Sequence, residues 1–175
     1  MHKGINYPGR IQTTLRVVFA LVIILSIFSF VQTVSAEGMT QISGDAYAGA
    51  VGDFGCDDSE GAGADFINKM EGDLEGCLYV FVESYHCQPS GTYFERGHEI
   101  YVGGGDEGDS GTFETTYLFS SKYEDCNTFD GPIFGRCQHP IVEGSGTGDY
   151  EGVRGRLHLK DDPEAGVIHY TGHMK

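Results

Sequence analysis

The stretch from Gly144 to Asp162, GSGTGDYEGVRGRLHLKDD, sets the narrowest limits on what this chain can fold into. Its first half carries Gly144, Gly146, Gly148 and Gly152, a density that a sharply bent backbone requires, because glycine reaches positive φ without steric cost. Its second half alternates strictly. Val153, Gly155, Leu157 and Leu159 share one face, and Arg154, Arg156, His158 and Lys160 share the other. A period of two is a strand with one buried and one wet face. Asp161-Asp162-Pro163 then ends it, since proline cannot donate to a ladder. A glycine-hinged corner followed by a long strand is how closed β-barrels turn.

The N-terminus reads as an export signal. Lys3, Arg10 and Arg16 precede the uncharged run Val17 to Val31, and Val34-Ser35-Ala36 supplies a small-residue cleavage site. The alternative is an uncleaved anchor, because the run approaches the lower limit for spanning a bilayer. Residue 37 is Glu, not Cys, which argues against a lipoprotein, and no Arg-Arg pair precedes the run, which points to the general export route. The expected organisation is a signal peptide over 1–36 and one domain over 37–175, in a secreted or cell-envelope protein.

Eleven Lys and Arg stand against 26 Asp and Glu, a net charge of −15, and removing a leader that holds only basic charges leaves the remainder more acidic still. Such a surface repels phosphate backbones and anionic headgroups, so neither nucleic acid nor, after cleavage, a membrane is an expected partner. The five cysteines of an exported chain read first as disulfides with one thiol left over. Cys77 and Cys87, and likewise Cys126 and Cys137, flank short segments with turn residues, so the expected bridges are Cys77–Cys87 and Cys126–Cys137. Cys56, in the acidic glycine-rich loop Val51 to Ala64, is the expected free thiol.

From Glu37 onward no helical stripe persists; apolar residues alternate and glycine punctuates. Strands are expected over Gln41 to Ala50, Cys77 to Tyr85, Thr92 to Val102, Thr112 to Ser120, Ile133 to Glu143, Tyr150 to Lys160 and Gly166 to Met174. Asp65 to Leu74 fits either a short strand or a helical turn. Both faces of Cys77 to Tyr85 are apolar, as for a wall between a lumen and a covering layer. Seven or eight antiparallel strands with glycine turns suggest a barrel or sandwich.

The run Gly146-Thr147-Gly148-Asp149-Tyr150-Glu151-Gly152-Val153-Arg154-Gly155-Arg156-Leu157 resembles the G-S-G-x-F-E-G-x-x-G-x-V corner of plant allene oxide cyclases, and the shorter G-T-G-x-F-x-G-x-x-G of dirigent proteins. With FETTYLF, IFGRCQHPI and GVIHYTGHM, the chain looks like bacterial secreted proteins grouped as allene-oxide-cyclase-barrel-like. The resemblance implies an all-β, eight-stranded antiparallel barrel with a ligand-sized cavity. It carries no catalytic residue across, because the shared positions are glycines and one aromatic, with Gly144, Gly146, Gly148, Gly152 and Gly155 forming the corner.

Candidate chemistry is sparse. His169 and His173 are four apart, which on a strand separates them by about 13 Å, too far for one metal. Asp106, Glu107 and Asp109, and Asp53, Asp57 and Asp58, lack the ordered oxygen pattern of a calcium loop. No metal and no cofactor is expected. In GRCQHPI, Arg136, Gln138 and Pro140 alternate with Cys137, His139 and Ile141. Either the polar groups form an ion-paired exterior, or His139 and Arg136, with Tyr117 and Glu99 from neighbouring strands, reach the lumen and move protons. Three functions follow: a barrel binding a small apolar or aromatic ligand, an isomerase or cyclase on a lipid-like or phenolic substrate, or a barrel packed solid by its own side chains. The first is the expected one. N-terminal sequencing of exported protein should find Glu37 first.

Overall fold

The computed structural model describes residues 38–57, 59–104, 110–126 and 133–175. Eight strands follow one another: β1 (Thr40–Gly49), β2 (Phe66–Gly72), β3 (Gly76–Cys87), β4 (Thr92–Gly103), β5 (Gly111–Lys122), β6 (Phe134–Pro140), β7 (Gly155–Asp162) and β8 (Val167–Met174). Each pairs antiparallel with the next, and β8 returns to β1, with Thr40 opposite Met174 and Ala46 opposite Ile168. The result is a closed up-and-down barrel, an arrangement that leaves no sheet edge. The segment expected to be strand or helical turn is β2, and its pairing with both neighbours decides the matter.

Alternation sorts the side chains. On β7, Leu157 and Leu159 are buried while Arg156, His158 and Lys160 are exposed. The strand starts later than its apolar pattern suggests, at Gly155, not Tyr150. Gly148–Tyr150 forms a single 3-10 turn instead, and Tyr150 enters one end of the barrel. There its ring meets Phe113 edge-on at 5.2 Å and Tyr101 at 5.5 Å, in the preferred edge-to-face geometry. Tyr101 and Phe113 stack at 4.7 Å beneath it. This end is filled. On the same side of the molecule, Tyr170 lies over Gly44 and accepts the Leu74 N–H at 2.8 Å. A Cβ on Gly44 would stand 2.5 Å from that hydroxyl, so only glycine admits the ring.

The loop between β1 and β2 covers the outside of β2 and β3. Cys56, Ile67, Cys77 and Tyr79 form a second, smaller core there, with Phe81 and Val102 against it. This explains the two apolar faces of β3: one lines the lumen and the other carries the loop. Of the acidic loop positions singled out in the sequence, Asp58, Asp106, Glu107 and Asp109 lie outside the described residues, as does the segment 1–37.

The disulfides differ from expectation. Cys56 is bridged to Cys77 and Cys87 to Cys126, with Cα separations of 5.7 and 5.9 Å, and Cys137 is the buried free thiol. Cys77–Cys87 is excluded because both lie on β3, ten residues or about 33 Å apart along an extended strand. Cys126–Cys137 is excluded because β6 turns Cys137 into the barrel. The observed bridges close longer loops, with separations of 21 and 39 residues, worth about 3–4 kcal/mol each in the loop-entropy model.

Gly148 and Gly152 both take positive φ, +60° and +78°, but their surroundings differ. A Cβ at Gly152 meets nothing within 4 Å, whereas one at Gly148 would stand 2.4 Å from the Ser110 carbonyl oxygen. Gly152→Ala should therefore cost about 1 kcal/mol for its left-handed backbone alone. Gly148→Ala should cost about 1–3 kcal/mol more for overpacking. Urea midpoints of the two variants measure the difference.

Candidate functional site

The end of the barrel opposite the Tyr150 plug holds a cavity of about 310 Å³. From β1 only the small side chain of Ala48 lines it, where a bulkier residue would fill space. The half-buried rings of Phe66 and Phe119 stand around it with Tyr93, Tyr117 and Tyr123, and Val80, Leu159 and Ile168 complete its apolar wall. The volume lies at the small end of the range for ligand pockets.

Its polar groups come from inward positions of five strands. Thr115, directly opposite Glu99 in the β4–β5 ladder, donates its hydroxyl to Glu99 Oε2 at 2.5 Å. The same oxygen receives His139 Nδ1 at 2.6 Å, and both Glu99 and His139 are only 2 % exposed. A carboxylate only accepts, so Nδ1 carries the proton of this bond. His139 also stacks on Tyr117, centroids 6.1 Å apart. One turn of the pleat away, Glu95 accepts the Tyr93 hydroxyl on Oε2 at 2.5 Å and the Tyr117 hydroxyl on Oε1 at 2.9 Å. Asn68 Oδ1 and His139 Nε2 are buried with no hydrogen-bond partner among the described residues. Buried polar atoms are ordinarily paired, so two such atoms lining one cavity are unusual.

The electrostatics disfavour negative charge on any further group. Burial, and then the hydrogen bond and charge of Glu95, push the Tyr93 and Tyr117 phenols well above their usual range. Burial, and then the charges of Glu99, Glu95 and Asp161, push the Cys137 thiol up in the same way, so it stays protonated and is a poor nucleophile.

Of the four residues singled out for proton transfer, Glu99, His139 and Tyr117 share this cavity and Arg136 does not. Arg136 is exposed on the outer face of β6, opposite Lys160. It stands three residues from His139, an odd step that period-two alternation sends to the other side. His169 and His173 are likewise exterior, and His169 bonds Asp45 across the β1–β8 seam at 2.7 Å. Sequence reasoning missed Glu95, Asn68, Thr115 and Asp161. The β4 face Tyr93-Glu95-Gly97-Glu99-Tyr101 carried a usable signal, two carboxylates on a face bounded by aromatics. Asn68 carried none, since its segment had no clear period.

Neither a scan against protein-family models nor a search of curated proteins finds a match for the chain.

Asp161 stands at the cavity margin over Gly135, where burial raises its carboxyl above the ordinary value of 3.8. A raised folded-state value means the fold prefers the protonated acid. The destabilisation is absent below the unfolded value and grows as pH rises through the folded one. Asp161→Asn should therefore raise the thermal midpoint at pH 7 and leave it unchanged near pH 3, as read by circular dichroism.

Proposed function

We propose that this is an exported β-barrel that binds a small, largely apolar or aromatic molecule in its lumen. The observation that carries the reading is the 310 Å³ cavity, walled by aromatic rings and floored by the buried Glu99–His139 pair. A lumen packed solid would support the structural alternative, and this volume favours binding over it. Removing apolar ligand surface from water supplies about 25 cal/mol per Å², and the few polar groups orient what enters. The resemblance of the glycine corner to allene oxide cyclases and dirigent proteins supports a ligand-holding barrel by analogy of fold. Two disulfides suit an oxidising compartment, in keeping with export through the N-terminal leader. Among the described residues no helix is long and apolar enough to cross a membrane.

A second reading, an isomerase or cyclase, is favoured by one specific feature. Glu99 holds His139 through Nδ1 and leaves Nε2 unpartnered, the arrangement by which a carboxylate orients an imidazole for proton transfer. Its mark would be catalysed exchange of an acidic C–H proton that His139→Gln abolishes.

For the binding reading, neutral N-phenylnaphthylamine should bind saturably with one site per chain. Ala48→Trp, which adds bulk at an exposed position on the cavity wall, should weaken that binding at least about tenfold. Absence of saturable fluorescence enhancement in the wild type would return the protein to the class of structural barrels.

A further inference from the structure

The polar lining of the cavity is one-sided. Glu95, Glu99 and Asp161 contribute three carboxylates, and among the described residues no Lys or Arg lines it. The barrel is not short of cations on these strands. Arg96, Arg136 and Lys160 sit at positions adjacent to Glu95, Cys137 and Asp161, and alternation places all three outside, exposed.

The hydrogen-bonding inventory leans the same way. The Tyr93 and Tyr117 hydroxyls both donate to Glu95. Unpartnered in the lining stand Asn68 Oδ1, an acceptor, and His139 Nε2, both on residues more than nine-tenths buried. Glu99 spends only Oε2 on Thr115 and His139, and neither engages Oε1. An incoming anion would meet like charge and find acceptors where it needs donors. A molecule that brings N–H donors and positive charge meets the reverse, and the rings of Phe66, Tyr93, Phe119 and Tyr123 offer cation–π faces. Asp161 at the margin draws a cation toward the opening.

We propose that the lumen selects small organic cations, primary ammonium compounds with an aromatic or short apolar body, over carboxylates and neutral analogues of the same shape. The proposal rests on the lumen-binding reading and narrows it to one ligand class. The ammonium N–H groups bond to carboxylate and unpaired acceptor oxygens deep in the cavity, while the body packs among the rings.

Three probes of one skeleton separate charge from shape: phenethylamine, phenylethanol and phenylacetate, titrated calorimetrically into the exported protein at pH 7. Phenethylamine should bind at least about tenfold more tightly than phenylethanol, the worth of one charge-assisted hydrogen bond, and phenylacetate should show no saturable heat. Glu95→Gln and Asp161→Asn should each lower the amine-to-alcohol affinity ratio, whereas the exterior Arg136→Gln should not. Asp161 lies at the margin, so Asp161→Asn tests the charge even if Glu95→Gln fails to fold. Phenylacetate binding as well as the amine, or a ratio unchanged by both carboxylate variants, would overturn the cation preference while leaving the lumen a binding site. If none of the three probes binds and N-phenylnaphthylamine does not bind either, the lumen-binding reading itself falls.

Discussion

Closure of the sheet through the β1–β8 ladder is the constraint on which everything else depends. Seven pairs from Thr40–Met174 to Ala46–Ile168 join the ends of the sheet. Once they form, inward and outward become fixed for every strand, because each residue's face follows from parity alone. The closing strand is also the one with the smallest inward side chains. Gly44 makes room for Tyr170 at the filled end, and Ala48 leaves room at the other. A single strand thus permits both the aromatic plug and the cavity.

The two ends of the barrel are built on opposite principles. At the Tyr150 end, rings pack on rings and the polar atoms find partners in the wall, as when the Tyr101 hydroxyl donates to the Glu75 carbonyl at 2.9 Å. At the other end, carboxylates and an imidazole are buried and bonded to one another, yet Asn68 Oδ1 and His139 Nε2 stay unpartnered. Burying such groups costs stability that an apolar core would not forgo. That cost falls on residues lining open space, where a binding site carries it.

Outside the barrel, the Cys56–Cys77 bridge and the loop over Tyr79 add a layer that the hydrophobic pattern alone announced. Both faces of β3 are apolar because both are covered. Gly61 sits so close to the Tyr79 ring that a Cβ would lie 2.1 Å from it, which shows how tightly the loop is pressed down. The second bridge, Cys87–Cys126, ties the end of β3 to the segment beyond β5 near the open end of the barrel.

Alternation and glycine spacing marked seven of the eight strands and the bent corner, with β2 left open between strand and helical turn. These are local properties: glycine spacing and a period of two depend on residues next to each other in the chain. Even the separation of Arg136 from His139 was legible, since parity within β6 requires it. Packing in three dimensions settles which cysteines meet, that Tyr150 turns inward as a plug instead of starting β7, and that Thr115, Glu99 and His139 converge from three strands. Those outcomes depend on register between strands and on closure of the barrel, which place residues tens of positions apart within bonding distance. No local pattern encodes them, because the free energy that selects a register is shared among every pair along the ladder.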